Sequence, residues 1–121
     1  MKVEADSVQI FGKYLKELIK NTVKTQTEFL RQVKVSKTYL VQMMNSQIKP
    51  PAPERQFEIV EKLRLKDEDA YEFFDKAAAE RDELPADVER FVSTNQEVIA
   101  ILRRANKKGL RITVGGNENG Q

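Results

Sequence analysis

Residues 25–45 read TQTEFLRQVKVSKTYLVQMMN, and the way this stretch is divided decides the fold. Thr25 followed three residues later by Glu28 is a capping box, which starts a helix by satisfying backbone N–H groups that a first turn leaves open. The short helix it opens carries Phe29, Leu30 and Val33. Ser36 is a good N-cap for a second helix, 36–46, so only a tight turn around Lys34 separates the two. At 100° per residue, Tyr39, Leu40 and Met43 share one side of that second helix and are assigned to the core. Thr38, Val41, Gln42 and Asn45 fall on the opposite side, with Lys37 and Met44 at one edge.

The helical period continues outward in both directions. Phe11, Leu15, Leu18 and Ile19 form an apolar stripe on a helix that precedes the pair. After it, Pro50-Pro51-Ala52-Pro53 breaks the chain, and Pro53 suits the first position of a helix contributing Phe57, Val60 and Leu63. Asp67, Glu68 and Asp69 favour the start of a fifth helix, with Phe73, Phe74, Ala77 and Ala78 on it. Pro85 begins a sixth, carrying Val88, Phe91 and Val92. Thr94 with Glu97 reads as a second capping box, opening a seventh helix with Val98, Ile101, Leu102 and Ala105, stopped by Gly109. Arg111-Ile112-Thr113-Val114 is too short to classify, though a small strand fits it, and the polar, glycine-rich residues 115–121 read as disordered. The predicted fold is all-α.

With those elements in order, the sequence resembles the Xre-type, lambda-repressor-like helix-turn-helix family. The resemblance begins at Phe11-Gly12-Lys13-Tyr14-Leu15-Lys16-Glu17-Leu18 and runs through Thr25-Gln26 and Val35-Ser36-Lys37-Thr38-Tyr39-Leu40. It ends with the proline region and the helix from Phe57 to Leu63, and so covers about the first half of the chain. It implies a helix-turn-helix DNA-binding domain of four to five helices with a C-terminal helical extension, and a bacterial or phage-type transcriptional repressor. It also implies that Gln26 contacts phosphate or braces the reading side chains, and that Asn45 lies near the DNA backbone. Two positions depart from the pattern. Leu30 stands where the family has a small alanine, and Lys34 where it has a glycine in left-handed backbone. Holding a lysine in that conformation would cost on the order of 1 kcal/mol.

The outward face of helix 36–46 has a chemistry of its own. Glutamine reads adenine through paired hydrogen bonds, lysine reaches guanine, and valine or a threonine methyl packs on the thymine methyl. Residues near the start of such a helix enter the groove deepest. The candidate DNA-binding residues are therefore Ser36, Lys37, Thr38, Val41, Gln42 and Asn45 of this helix, joined by Gln26, which only the resemblance implies. Lys13, Lys16, Lys20, Lys24, Arg31, Lys34 and Lys49 are further candidates for phosphate contacts, which steepen salt dependence without adding sequence information.

A formal net charge of +2 taken alone argues weakly against a nucleic-acid partner, yet the charge is arranged in blocks. Residues 1–50 carry a net of +5, residues 51–102 a net of −7 and residues 103–121 a net of +4. The reading helix thus lies in the basic block, and the acidic block would repel DNA. Arg103, Arg104, Lys107, Lys108 and Arg111 complement a helix C-terminus, with a second DNA-backbone contact as the alternative.

The chain has no cysteine and no histidine, which excludes disulfides, thiol nucleophiles, zinc fingers and imidazole-dependent triads. The ten carboxylates from Asp67 to Glu89 match no calcium-loop spacing and read as a solvated helical surface. Enzymatic activity, a metal and a cofactor are not expected. The N-terminal Met-Lys-Val-Glu-Ala-Asp lacks a basic-then-apolar stretch, so neither a signal peptide nor a membrane span is expected, and the cytoplasm is the expected location.

The expected organisation is a DNA-binding domain at 1–66, a helical extension at 67–111 and a flexible tail at 112–121. The expected partner is double-stranded DNA bearing an inverted repeat, bound by a homodimer. The extension either completes the monomer core or forms the dimer interface, and dimerisation through this half is the favoured expectation. In the alternative reading the protein is an antitoxin or adaptor whose residues 67–111 hold a protein partner.

Overall fold

In a computed structural model, residues 2–109 are described, with side chains from Phe11 onward, and they form seven helices and no strand. These are α1 (Lys2–Thr22), α2 (Gln26–Gln32), α3 (Lys37–Met44), α4 (Pro53–Lys62), α5 (Glu68–Arg81), α6 (Ala86–Ser93) and α7 (Gln96–Lys108). The all-α expectation holds. The strand considered at residues 111–114 and the tail at 112–121 lie outside the described residues.

Local chemistry explains several helix ends. Thr25 Oγ1 accepts from the Glu28 N–H at 3.1 Å, and Ser36 Oγ accepts from the Tyr39 N–H at 3.0 Å. Pro53 occupies the first turn of α4, where its missing N–H leaves no bond unmade. Gly109 ends α7 in left-handed backbone at φ 69°. The expected second capping box is not formed. Asn95, not Thr94, is the N-cap of α7, and the Thr94 hydroxyl instead donates back to the Arg90 carbonyl at 2.8 Å. Threonine can serve either helix end, and here it closes α6.

The chain divides into two compact units, residues 1–88 and 89–121. In the first, α1 supplies Phe11, Leu15 and Ile19, α2 supplies Phe29, α3 supplies Leu40, Met43 and Met44, and α4 supplies Ile59, all buried in one cluster. The same cluster contains Ala70, Phe73, Phe74 and Ala77 of α5. The Phe11 and Phe73 rings meet edge to face at 5.6 Å, and the Phe57 and Phe74 rings lie 4.9 Å apart. The division therefore does not fall at residue 66, because α5 closes the core that α1 opens. Of the aromatic residues considered for either core or interface, Phe73 and Phe74 complete the core, whereas Phe91 is exposed.

Polar groups fix α5 in place. The Glu80 carboxylate accepts a hydrogen bond from the Phe11 N–H, and its pKa is raised by burial. Arg81 donates to the Pro50 carbonyl at 3.0 Å and pairs with Glu83, which ties the end of α5 to the proline segment before α4. The other carboxylates of the acidic stretch are exposed apart from the half-buried Asp87. The second unit contains the end of α6 and all of α7, and α7 buries no residue.

Candidate nucleic-acid interface

Two short helices and the four residues between them form the centre of the candidate site. α2 is anchored by Phe29 and α3 by Leu40, Met43 and Met44, and all four side chains are buried. This leaves the opposite face of α3 outward. Ser36, Lys37, Thr38 and Asn45 are exposed, as is Gln26 at the start of α2. Val41 and Gln42 are only half-buried, and Val41 packs against the edge of the core, so it is less available than its helical position suggests. Met44, placed at the edge of the reading face from sequence, is 5% exposed and belongs to the core. The signal for this was its i, i+4 spacing from Leu40.

The turn between α2 and α3 needs no left-handed residue. Val33 is extended, and the Val35 N–H donates to the Val33 carbonyl at 2.8 Å. A bond from residue i+2 to residue i closes a γ-turn around Lys34, whose φ is not positive. The expected strain at Lys34 is therefore absent. Lys24 is one of five non-glycine residues with positive φ among the described residues; it has φ 79° between α1 and α2, where the Lys24 N–H reaches the Ile19 carbonyl at 2.7 Å. A matched pair of substitutions checks this. Lys24→Gly is expected to hold or raise stability by up to about 1 kcal/mol, because glycine takes positive φ without steric cost. Lys34→Gly is expected to lower it by about 0.5–1 kcal/mol, because it only frees the unfolded chain. Thermal denaturation of both variants reads the difference.

The position of α3 depends on Gly12, a residue for which the sequence reading gave no role. A Cβ at this point of α1 would lie 2.5 Å from the Met44 carbonyl oxygen, 2.7 Å from Ser46 Oγ and 3.0 Å from the Met43 carbonyl oxygen. The end of α3 thus rests directly on α1, and only a residue without a side chain permits that approach. A lone glycine inside an apolar helical stripe was the available sign.

Charge around the pair is mostly basic. Lys13, Lys16, Lys20, Lys24, Lys34 and Lys49 are exposed. Lys16, Lys20, Lys24 and Gln26, over a floor of Ile19 and Met44, line one open hollow of about 340 Å³ that contains no carboxylate. Arg31 is differently placed. Its Nε lies 2.9 Å from Glu28 Oε1, and this pairing, with a bond from Gln32, lowers the Glu28 carboxyl pKa to about 2 and raises that of Arg31. Arg31 is thereby committed to its own helix. Glu28, turned toward Arg31 and Gln32, does not complete the capping box, and the Thr25 N–H goes to the Val23 carbonyl instead.

On the other side of α1, Tyr14, Glu17, Asp69 and Glu72 border a hollow of about 330 Å³ with the opposite charge. Burial, then the charges of Glu72 and Asp69, push the Tyr14 hydroxyl pKa up. Among the described residues no group of histidine, cysteine, aspartate or glutamate could hold a metal ion, and no helix is long and apolar enough to cross a membrane. No family model, curated protein or solved structure matches the chain.

Proposed function

We propose that this protein is a sequence-specific DNA-binding regulator of the Xre-type helix-turn-helix kind, a repressor that lays α3 in the major groove of an inverted repeat and binds as a dimer. The observation that carries the reading is the combination of an outward polar face on a short, capped, firmly buried helix with a carboxylate-free hollow of lysines beside it. Lys37, Thr38 and Gln42, with Val41 as an apolar contact, would meet base edges, and Asn45 and Ser36 would flank them. Gln26 and the lysines at 16, 20 and 24 share the hollow and would meet the phosphates.

Selection of bound duplexes from a random pool gives the half-site and its spacing. Binding to the selected duplex is expected to weaken steeply with salt. Combining Lys37→Ala with Gln42→Ala is expected to reduce discrimination between selected and random duplexes by about tenfold or more, since one good paired contact to a base is worth about 1–3 kcal/mol. Unchanged discrimination would remove α3 from the interface. No duplex binding at low salt, with a stoichiometric protein partner instead, would favour the adaptor reading.

A further inference from the structure

The second unit leaves several large apolar side chains exposed. Phe91 is 58% exposed, Ile101 51% and Leu102 37%, with Val92, Val98 and Ala105 half-buried. Val98, Ile101, Leu102 and Ala105 follow the i, i+3, i+4, i+7 spacing of a helix that packs along its length against another. Isolated exposed apolar residues are ordinary, whereas the adjacent Ile101 and Leu102, exposed at the centre of such a stripe on a helix with no buried residue, indicate an absent neighbour.

The charges beside that stripe select the neighbour. Glu97 lies at the start of α7, and Arg103, Arg104, Lys107 and Lys108 at its end. Placing two copies of α7 parallel would bring the two basic ends together, four cations against four. Placing them antiparallel, centred on Ile101 and Leu102, brings each Glu97 to the level of the other copy's Arg104 and Lys108. At 100° per residue these three positions fall within roughly 40° of one another on the flank bordering Ile101. Flanking positions on the same side of two antiparallel helices face each other across a two-fold axis, and such flanking charges set orientation in paired helices. One α7 therefore carries both halves of the complementarity. We infer that α7 pairs antiparallel with the α7 of a second copy of this chain, through Ile101 and Leu102, with Glu97 facing Arg104 and Lys108 across the axis.

The inference rests on the dimer of the proposed function; the test uses the full chain without DNA, so its failure is distinguishable from a failure of base reading by α3. Sedimentation equilibrium is expected to give a dimer. Ile101→Asp is expected to raise its dissociation constant roughly thirtyfold or more, as removal of a central contact does. Because residue 101 is half-exposed and outside the first unit's core, far-ultraviolet circular dichroism is expected to retain the helical signal of α1–α5. Glu97→Lys is expected to weaken the dimer, and adding Arg104→Glu and Lys108→Glu to it is expected to restore the dimer. A chain that stays monomeric up to millimolar concentration overturns the inference. So does a dimer that Ile101→Asp leaves intact, or one that the threefold charge exchange does not restore after Glu97→Lys has weakened it. A monomer that binds only a different protein overturns it in favour of that partner.

Discussion

Phe73→Ala is expected to lower the stability of the first unit by about 3–5 kcal/mol, the range for emptying a buried phenylalanine site. Phe73 has no exposed surface and touches the rings of Phe11, Tyr14 and Phe74, with centroids 5.6, 6.2 and 6.1 Å away. The residues around it sit on two long helices, and a rigid wall on each side leaves little room for collapse into the cavity. Tyr71→Ala, on the same helix but 52% exposed, is expected to stay within about 0.5 kcal/mol of the parent. Urea denaturation followed by circular dichroism measures both. A cost below about 1 kcal/mol for Phe73→Ala would mean that α5 is dispensable to the core and that the first unit ends near residue 66.

The second large effect is expected at Gly12. Gly12→Ala places a methyl group against two backbone carbonyl oxygens and one hydroxyl, and the carbonyls cannot rotate aside. Alanine gains about 1 kcal/mol of helix propensity over glycine, while overpacking of this kind costs about 1–3 kcal/mol and here acts on backbone. The steric effect is expected to prevail, with a net loss in urea denaturation and a larger loss for Gly12→Val. The same substitution pushes the end of α3 away from α1. Affinity for the selected duplex is therefore expected to fall even at temperatures where the variant is fully folded. Full affinity in a folded Gly12→Ala protein would show that the α1–α3 approach does not position the reading face.

What the sequence made legible was local. Capping by Thr25 and Ser36, the start at Pro53 and the stop at Gly109 each depend on a few neighbouring atoms, and each is found where the residue type predicts it. The exposure of Lys37, Thr38 and Asn45 followed in the same way from helical spacing. What was not legible depends on which element meets which. Nothing in residues 67–81 says that Phe73 faces Phe11 sixty-two positions earlier, so the acidic exterior of α5 drew it toward a separate extension. The glycine expected at the α2–α3 turn was a rule about one turn geometry, and a γ-turn around Lys34 met the same need differently. Val41 and Met44 show the limit on an eight-residue helix, where the edge of a face is decided by the neighbour packed against it.

The bond from the Phe11 N–H to Glu80 joins residues sixty-nine positions apart, and this has a consequence for synthesis. On a ribosome, α1, α2 and α3 emerge well before α5. At about 5–20 residues per second, the interval between residue 45 and residue 81 lasts roughly 2–7 s. Throughout it the apolar side of α1 lacks the part of its cover that α5 supplies, so the reading helix exists as sequence before it exists as a rigid surface. Translation speed across residues 46–81 thus sets how long each nascent chain is open to aggregation, and slow codons there would lengthen that exposure without changing a single residue of the finished protein.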